Sequence, residues 1–430
     1  MIRKSLIAII PITVLPVAFI GIQRFSSAPI GGTTVYWLIH SFILIIFGLA
    51  SFVLFEPENN RAIQVVKWYL LWNAISIVRG IFVAETYWEY KGLVEMGMAL
   101  LIPIIAYAAS NKEILQSTLS FYVKYALPFS VTLLPFLTIG GLGGYLYPVS
   151  LLMLFFPAIK LKWKILLLAI SIIVILGDLS TRSLLFKYGV PILLLLFYYY
   201  RAFPWSSKIM GFTRNILIIA PWVLFFLGIT GTFNVFKINE YIKINFVAET
   251  KNAEGEIKRQ DITTDSRTFI YTEVLQSAKK HNYWIMGRSP ARGNETTAFA
   301  HIAEITGREE RLRNEANIPN IFTWTGAIGV FLIFFIFNRA SWLAINRSNN
   351  IYIKLIGLFV AFRWLYAWIE DYYDFNINLF TIWFMIGICF SESFRNMNNA
   401  EVKLWIRGIF AKKYQTAYLD YARNYMTDSI

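Results

Sequence analysis

Long blocks of apolar residues, each about as long as a bilayer is thick, dominate the hydropathy pattern of the chain. A helix rises about 1.5 Å per residue, so roughly twenty apolar residues cross the hydrocarbon core of a membrane. The pattern therefore predicts an all-α fold, a polytopic helical membrane protein with about twelve transmembrane helices. The predicted spans are 5–22, 34–55, 63–84, 93–109, 121–140, 144–160, 164–177, 183–200, 214–232, 319–338, 352–370 and 375–391.

One long hydrophilic stretch interrupts the succession of spans and divides the chain. Residues 1–232 hold the first nine spans, 233–318 form one large loop, and 319–391 hold the last three spans. Residues 392–430 form a tail, in which tyrosines recur at helical spacing from Tyr414 onward with lysines beside them. That pattern is typical of an amphipathic helix lying on the membrane surface.

The large loop carries local patterns of its own, so we expect it to be folded. Apolar positions from Phe269 to Leu275 recur at helical spacing, and Asp265 or Ser266 can cap the start of that helix. A second helical stretch is predicted at 297–313, after a turn rich in glycine and proline.

Composition and charge agree with a membrane protein and exclude a large water-soluble domain. Hydrophobic residues make up 57% of the chain and charged residues only 15%, whereas soluble proteins carry about a quarter charged residues. The net charge of +14 comes mostly from Lys and Arg in the loops on one side of the membrane. By the positive-inside rule that side is the cytoplasm, and both termini lie there. Nucleic acid is therefore not needed as a partner, and membrane lipids are.

Neither a metal nor another cofactor is predicted from the sequence. The single cysteine, Cys389, lies inside a predicted span, which excludes a disulfide within the chain. Paired histidines at metal-binding spacing and glycine-rich phosphate loops are both missing from the sequence.

Charged residues inside the spans lie mostly near the outer ends, where Lys187 and Glu370 are examples. Charges within a membrane are costly and usually face a cavity or a partner. We therefore predict a polar cavity that opens toward the outer leaflet under the large loop. Arginine suits a diphosphate there, because its planar fork donates paired charge-assisted hydrogen bonds. The candidate arginines are Arg79, Arg182, Arg267, Arg288, Arg292 and Arg363. The alternative is that each arginine only pairs with a nearby acid or a lipid headgroup.

Three segments carry a resemblance to a known family. They are Leu179-Ser-Thr-Arg182-Ser-Leu-Leu, then Asp265-Ser-Arg267-Thr-Phe-Ile-Tyr followed by Ile285-Met-Gly287, and then Asn314-Glu315 through Phe322-Thr-Trp-Thr-Gly326-Ala-Ile-Gly329. In this order, with the predicted topology and one late loop, they resemble the O-antigen polymerase and O-antigen ligase superfamily. Ligases of that family carry histidine where this chain has Glu315, and this departure favours a polymerase.

The resemblance implies inverting glycosyl transfer in the bacterial inner membrane, without a metal or a nucleotide sugar. A glycan on undecaprenyl diphosphate would be the donor, and a hydroxyl of the next lipid-linked oligosaccharide would be the acceptor. A chain-length regulator protein is a further implied partner. Glu315 is the first candidate for the general base, followed by His301 and Glu304. Glu315 has an alternative interpretation as a salt-bridged loop carboxylate, with Arg311 as its partner.

Two other functions remain open on the sequence. A transporter or flippase for a lipid-linked oligosaccharide would also need a polar cavity, but such proteins commonly show repeated halves and charges at mid-membrane. Neither feature is recognisable in this sequence. An O-antigen ligase on the same scaffold is the second alternative, because similarity of fold does not define the acceptor.

Overall fold

The computed structural model describes residues 2–55, 60–178, 181–241, 247–251, 257–261, 267–299 and 301–421. Within these residues it is a bundle of helices whose connections lie at two opposite ends. The end that carries 267–318 is called the loop end, and the end that carries 392–410 is called the tail end.

Helices account for most of the described residues. In the first half they are α1 Ile2–Ile12, α2 Val14–Gly21, α3 Thr33–Val53, α4 Asn60–Val83, α5 Tyr87–Leu101, α6 Ile105–Ala109, α7 Lys112–Phe121, α8 Leu127–Leu133, α9 Ile139–Tyr145, α10 Pro148–Met153 and α11 Leu161–Gly177. In the second half they are α12 Arg182–Tyr199, α13 Ser206–Ile229, α14 Ile238–Tyr241, α15 Thr268–His281, α16 Ile302–Thr306, α17 Asn317–Asn346, α18 Ile351–Tyr366, α19 Ile377–Phe390, α20 Glu392–Asn396 and α21 Asn399–Phe410. The described strands form two short antiparallel pairs. In the first, β1 Val247–Lys251 pairs with β2 Ile257–Asp261, and in the second, β3 Asn294–Glu295 pairs with β4 Glu310–Arg311.

The helix lengths agree with the predicted class, an all-α membrane protein. Among the described residues, eight helical segments are long and apolar enough to cross a membrane. They are Ile2–Phe25, Thr33–Val53, Arg61–Val83, Tyr87–Ala109, Lys112–Phe136, Arg182–Ala202, Ser206–Ile229 and Asn317–Asn346. Three further predicted spans coincide with α11, α18 and α19, which have only 17, 16 and 14 residues. The number twelve therefore stays a prediction.

The segment predicted as a span at 144–160 is wrong as a single helix. It holds the end of α9, then α10, then a 3-10 turn at Phe156–Ala158. Pro148 and Pro157 stand in the first turns of the two later pieces, because proline lacks the N–H that a helix interior requires. Every side chain from Tyr145 to Phe155 is buried, so this apolar run packs against protein and not against lipid.

The first loop helix was predicted correctly and the second largely was not. In α15, Ile270 and Val274 are buried as the spacing predicts, while the proposed caps Asp265 and Ser266 lie outside the described residues. Among the described residues of 297–313 the only helix is the short α16, whose C-cap is Gly307 with a positive φ of 76°. After that glycine the chain extends into β4 and pairs with β3.

A backbone break in α17 holds the large loop against the bundle. At Gly326 the backbone leaves the helical conformation, with φ 67° and ψ −169°. The loop turn docks at the break, where the N–H of Ala327 donates to the carbonyl of Trp284 at 2.8 Å. A Cβ on Gly326 would lie 2.1 Å from the carbonyl oxygen of Ile285, and one on Gly287 would lie 2.5 Å from α17 backbone. Only glycine permits this approach of two backbones.

The tail contains an amphipathic helix upstream of the tyrosine pattern, and part of that pattern is helical as well. The upstream helix is α21, whose apolar face includes the buried Trp405 and Ile409. Residues 417–421 are also helical, whereas Tyr425 lies outside the described residues, so a surface helix over the whole pattern stays a prediction. The indole N–H of Trp405 donates to the carbonyl of Lys112 at 3.0 Å. This helix therefore packs on α7 at the tail end of the bundle.

Candidate functional site

A polar cavity of about 370 Å³ lies at the loop end, in the position that the charge pattern predicts. Its walls are the end of α2, the starts of α9 and α12, and the connection 367–376 between α18 and α19. Its charged lining residues are Arg24, Asp178, Lys187, Arg313, Glu370, Asp371 and Asp374. Its uncharged polar lining residues are Thr138, Thr181, Ser183, Asn376 and Asn378. A shallower cleft shares Arg24, Arg313, Glu370 and Asp371 with the cavity and extends to Arg311, Asn314 and Glu315.

Arg24 and Arg313 neutralise the aspartates on one wall of the cavity. Arg24 contacts Asp374 at 2.8 Å, and Nε of Arg313 donates to a carboxylate oxygen of Asp371. Burial alone would raise the pKa of Asp374, but the charges of Arg313 and Arg24 outweigh it and hold that pKa below its ordinary value. Asp374 is therefore an ionised, oriented hydrogen-bond acceptor.

A buried arginine lies next to Glu370, which is another lining residue of the cavity. Nζ of Lys187 contacts one oxygen of Glu370 at 2.6 Å, and Nη1 of Arg363 lies 3.7 Å from the other. The guanidinium of Arg363 is only 1% exposed and lies 4.8 Å from the ring centre of Tyr372. None of its three nitrogens donates a hydrogen bond to a described protein atom. Buried N–H groups are normally satisfied, so a water or a polar ligand is the natural partner for these.

The balance of charge in the cavity differs from the prediction. Three basic and four acidic side chains line it, so it is not the arginine-rich, electropositive site that the sequence suggests. Such a dense set of carboxylates, amides and hydroxyls suits a neutral ligand with many hydroxyl groups. A diphosphate needs an excess of positive charge, which the lining of this cavity does not have.

Three of the predicted diphosphate-binding arginines, Arg79, Arg288 and Arg292, make their contacts within the large loop or with it. Arg79 donates to the carbonyl oxygens of Met286 at 2.8 Å and Gly287 at 3.1 Å, at the turn that docks on α17. Arg288 donates to the carbonyl of Gly293 at 2.7 Å. These contacts hold backbone and leave the arginines outside the cavity lining.

Arg288 and Arg292 share one carboxylate. Arg288 contacts Glu310 at 3.0 Å, and Arg292 contacts both of its oxygens, at 2.9 and 2.5 Å. Burial alone would raise the pKa of Glu310, but the hydrogen bond from Arg292 and the charge of Arg288 outweigh it, and the pKa lies below its ordinary value. For Arg288 and Arg292, pairing with an acid is therefore what the structure shows.

Arg182 is the first residue of α12 and is exposed. Its neighbours Thr181 and Ser183 line the cavity, and Arg182 does not. Leu179 and Ser180, which complete its motif, lie outside the described residues. A role for Arg182 in binding stays a prediction.

Arg267 and Glu315, two of the candidates, form an ion pair. Nη1 of Arg267 contacts one oxygen of Glu315 at 2.5 Å, and Nη2 of Arg311 lies 3.4 Å from the other. Nε of Arg267 donates to the carbonyl of Ile369 at 3.0 Å. The salt bridge to Arg311 is thus present, beside a shorter one to Arg267, and Glu315 lines the shallow cleft.

An apolar groove of about 330 Å³ lies on the other face of the same segment. α13, α15 and the end of α18 form it, and Phe225, Tyr271 and Trp368 are among its walls. Ile369 closes the groove, while the next residue, Glu370, lines the polar cavity. Arg267 contacts Ile369 of the groove and Glu315 of the cleft, so it lies beside the junction of the groove, the cleft and the cavity, although it lines none of them.

The other two candidate bases lie apart from this junction. His301 and Glu304 are both exposed, at the start of α16, and neither lines the cavity or the cleft. The ring of His301 lies 6.0 Å from that of Phe299. A catalytic role for either stays a prediction.

Sequence reasoning missed the wall that carries most of the charge. The candidates did not include Asp371, Asp374, Arg24 and Arg313, which form two ion pairs in the cavity. The acidic run that begins at Glu370, between two apolar spans, was the available signal.

No protein-family model matches this chain, and no curated protein sequence matches it at a significant level. The function therefore has to be argued from the cavity, the cleft and the groove.

Proposed function

We propose that the protein is a polymerase that joins lipid-linked oligosaccharide repeat units by inverting glycosyl transfer at the outer face of the membrane. One observation carries the proposal: a polar cavity and an apolar groove meet at residues 368–371, with Arg267 beside the junction. A polyprenyl-diphosphate-linked glycan has the same order of parts, since an apolar tail, a diphosphate and a sugar follow one another.

The cavity fits the sugar part of such a substrate. Ionised Asp374 and its neighbours accept hydrogen bonds from hydroxyl groups, and Asn376 and Asn378 both donate and accept. The buried guanidinium of Arg363, behind Glu370, supplies positive charge close to this wall. The charge balance that disfavours a diphosphate here is compatible with a neutral oligosaccharide.

The diphosphate is assigned to Arg267 and Arg311. In the structure both arginines hold Glu315, which is a carboxylate that a phosphate can replace. A bound diphosphate would take over the two guanidinium groups and release Glu315 into the cleft. Donor binding would then free the base that the reaction needs, which links the two steps.

The reaction follows from these positions. The acceptor hydroxyl oxygen attacks the anomeric carbon of the donor as the bond between that carbon and the phosphate oxygen breaks. Glu315 takes the proton of the hydroxyl, and polyprenyl diphosphate leaves with the bonding electron pair. Preorganised arginines stabilise the charge that develops on the leaving diphosphate. Attack from the side opposite the leaving group inverts the anomeric configuration.

The groove fits the first part of the polyprenyl tail. Its walls are mostly aromatic and aliphatic, and it adjoins α13, whose apolar side chains such as Phe226 and Ile229 are exposed. A lipid tail can therefore pass from the bilayer past α13 to the junction beside Arg267. Burial of apolar surface there would contribute roughly 25 cal/mol per Å² to binding.

For this function the protein would lie in the inner membrane of a bacterial cell, with its loop end facing away from the cytoplasm. The distribution of Lys and Arg favours this orientation. A topology reporter fused within 250–310 should report a position outside the cytoplasm. A reporter fused after residue 395 should report a position in the cytoplasm. The reverse result would put the cavity on the wrong face for this substrate.

Deletion of the gene in its source cell separates the three candidate functions. Loss of a polymerase leaves surface lipid that carries one repeat unit. Loss of a ligase leaves polymer on the polyprenyl carrier, and loss of a flippase leaves single units facing the cytoplasm. Single-unit surface glycolipid, restored to long chains by the wild-type gene, is the expected result, and either other pattern would overturn the proposal.

A further inference from the structure

A second groove, of about 610 Å³, lies at the tail end between α4 and α17. Arg61 and Trp68 of α4 line one side, and Asn338, Arg339 and Trp342 of α17 line the other. It lies at the end of the bundle opposite the proposed catalytic cavity, which it does not touch. We propose that this groove binds the headgroup of an anionic phospholipid.

The lining of the groove is basic, and the described lining residues include no acidic one. Arg61 and Arg339 are both exposed, and neither pairs with an acid in the part of the chain that the structure describes. The basic residues of the loop-end cavity, in contrast, each contact a carboxylate. Two exposed guanidinium groups in one groove suit an anion from outside the protein.

Asn338 is held so that it adds a hydrogen-bond donor. The buried Arg214 donates through Nη2 to the side-chain oxygen of Asn338 and, at 2.6 Å, to its carbonyl oxygen. Nε of Arg214 also donates to Ser341 at 3.1 Å. Because Arg214 holds the side-chain oxygen, the NH₂ group of Asn338 is oriented as a donor for the groove.

The surroundings identify the anion as a lipid headgroup. Trp68 is 53% exposed and Trp342 is 37% exposed, which is typical of tryptophan at the membrane interface. Toward the middle of the bundle, exposed Leu71 and Phe331 continue the same two helices as apolar surface. Acyl chains can lie along that surface while the phosphate lies between the arginines.

The test measures lipid binding to the purified full-length protein in detergent. Native mass spectrometry and tryptophan fluorescence would follow titrations with cardiolipin, phosphatidylcholine and inorganic phosphate. Cardiolipin should bind, and its affinity should fall as salt is added. The double variant Arg61→Gln with Arg339→Gln should bind on the order of thirtyfold more weakly, or about 2 kcal/mol, for two basic residues.

A matched variant controls for the loss of two positive charges at the same end. Lys162→Gln with Lys208→Gln removes two exposed lysines outside the groove and should leave cardiolipin binding unchanged. Equal binding by wild type and the arginine variant would overturn the proposal. So would equal affinity for phosphatidylcholine, or saturation of the site by inorganic phosphate. Thermal unfolding of both variants checks that each is folded.

Discussion

Replacing Arg267 by alanine removes the residue beside the junction of the groove, the cleft and the cavity. The change deletes an ion pair of 2.5 Å to Glu315 and a hydrogen bond of 3.0 Å to Ile369. If Arg267 binds the diphosphate, this variant should strand single repeat units on their lipid carrier. If it is only a structural residue, activity should fall no further than the amount of folded protein.

The structure separates these outcomes by magnitude. The side chains of the pair are 23% and 51% exposed, and ion pairs this open to solvent contribute only about 0–1 kcal/mol to stability. One lost donor to a charge that develops in the transition state costs about 2.7–4 kcal/mol in a dry site. For a partly exposed arginine we expect about 2–3 kcal/mol, which is roughly a 30- to 160-fold slower chain extension.

The assay is the distribution of polymer lengths on a gel, normalised to the amount of protein in the membrane. Arg267→Lys should recover only part of the activity, because an ammonium keeps the charge but not the paired geometry. Arg308→Ala is the matched control, since Arg308 also pairs with a glutamate at the loop end, outside the cavity. Chains of wild-type length from Arg267→Ala would refute the diphosphate assignment.

Three further variants probe the base, the docking of the loop and its charge network. Glu315→Gln should slow chain extension by roughly 10²- to 10⁴-fold at an unchanged protein level. The control is Glu85→Gln, which removes a carboxylate from a comparable ion pair and should not slow chain extension. Normal polymer lengths from Glu315→Gln would remove Glu315 from the mechanism. Gly326→Ala should lower the thermal unfolding midpoint in detergent, because the new Cβ would lie 2.1 Å from the backbone of the loop turn. The control is Gly211→Ala, whose Cβ would meet no atom within 4 Å. Equal midpoints for the two variants would contradict the proposed docking of the loop at Gly326. The pKa of Glu310 is lower in the folded protein than in the unfolded chain, so ionised Glu310 stabilises the loop. This stabilisation is complete at pH values above the ordinary glutamate pKa and is lost as the pH falls through the pKa of Glu310 in the folded protein. Protease resistance of the loop measures that loss, and Glu310→Gln should reduce the pH dependence to the part that comes from Glu273 and Glu295, whose pKa values are also lowered.

The class of fold was predictable because a membrane imposes the same length and composition on every span. The pattern failed at 144–160, where an apolar run between Pro148 and Pro157 breaks into short pieces inside the bundle. Hydropathy records that a side chain avoids water, and it does not distinguish lipid from protein interior.

In the large loop, local signals predicted α15 and long-range contacts decided the rest. The helix pattern through Ile270 and Val274 needs only neighbouring residues. Glu310 instead lies in an extended strand. The partners of its side chain, Arg288 and Arg292, lie 22 and 18 residues away in the sequence. Tertiary contacts of that kind override helix propensity.

The candidate site was predictable in its location and only partly in its residues. Charges near the span ends at the loop end indicated the cavity, and the family resemblance pointed to Arg267 and Glu315. That these two pair across 48 residues was visible only in three dimensions. The contact of Arg24 with Asp374 joins opposite ends of the chain, and no local pattern predicts it.

Reconstitution of the purified protein in liposomes with a polyprenyl-diphosphate-linked repeat unit tests the proposed polymerase most directly. Mass spectrometry of the lipid extract should show a ladder of products, each one repeat unit heavier than the last, with free polyprenyl diphosphate released in equal number. Nuclear magnetic resonance of the new linkage should show the anomeric configuration inverted. Lipid-linked units that stay single in the presence of folded protein, or that only change leaflet, would contradict the proposed function.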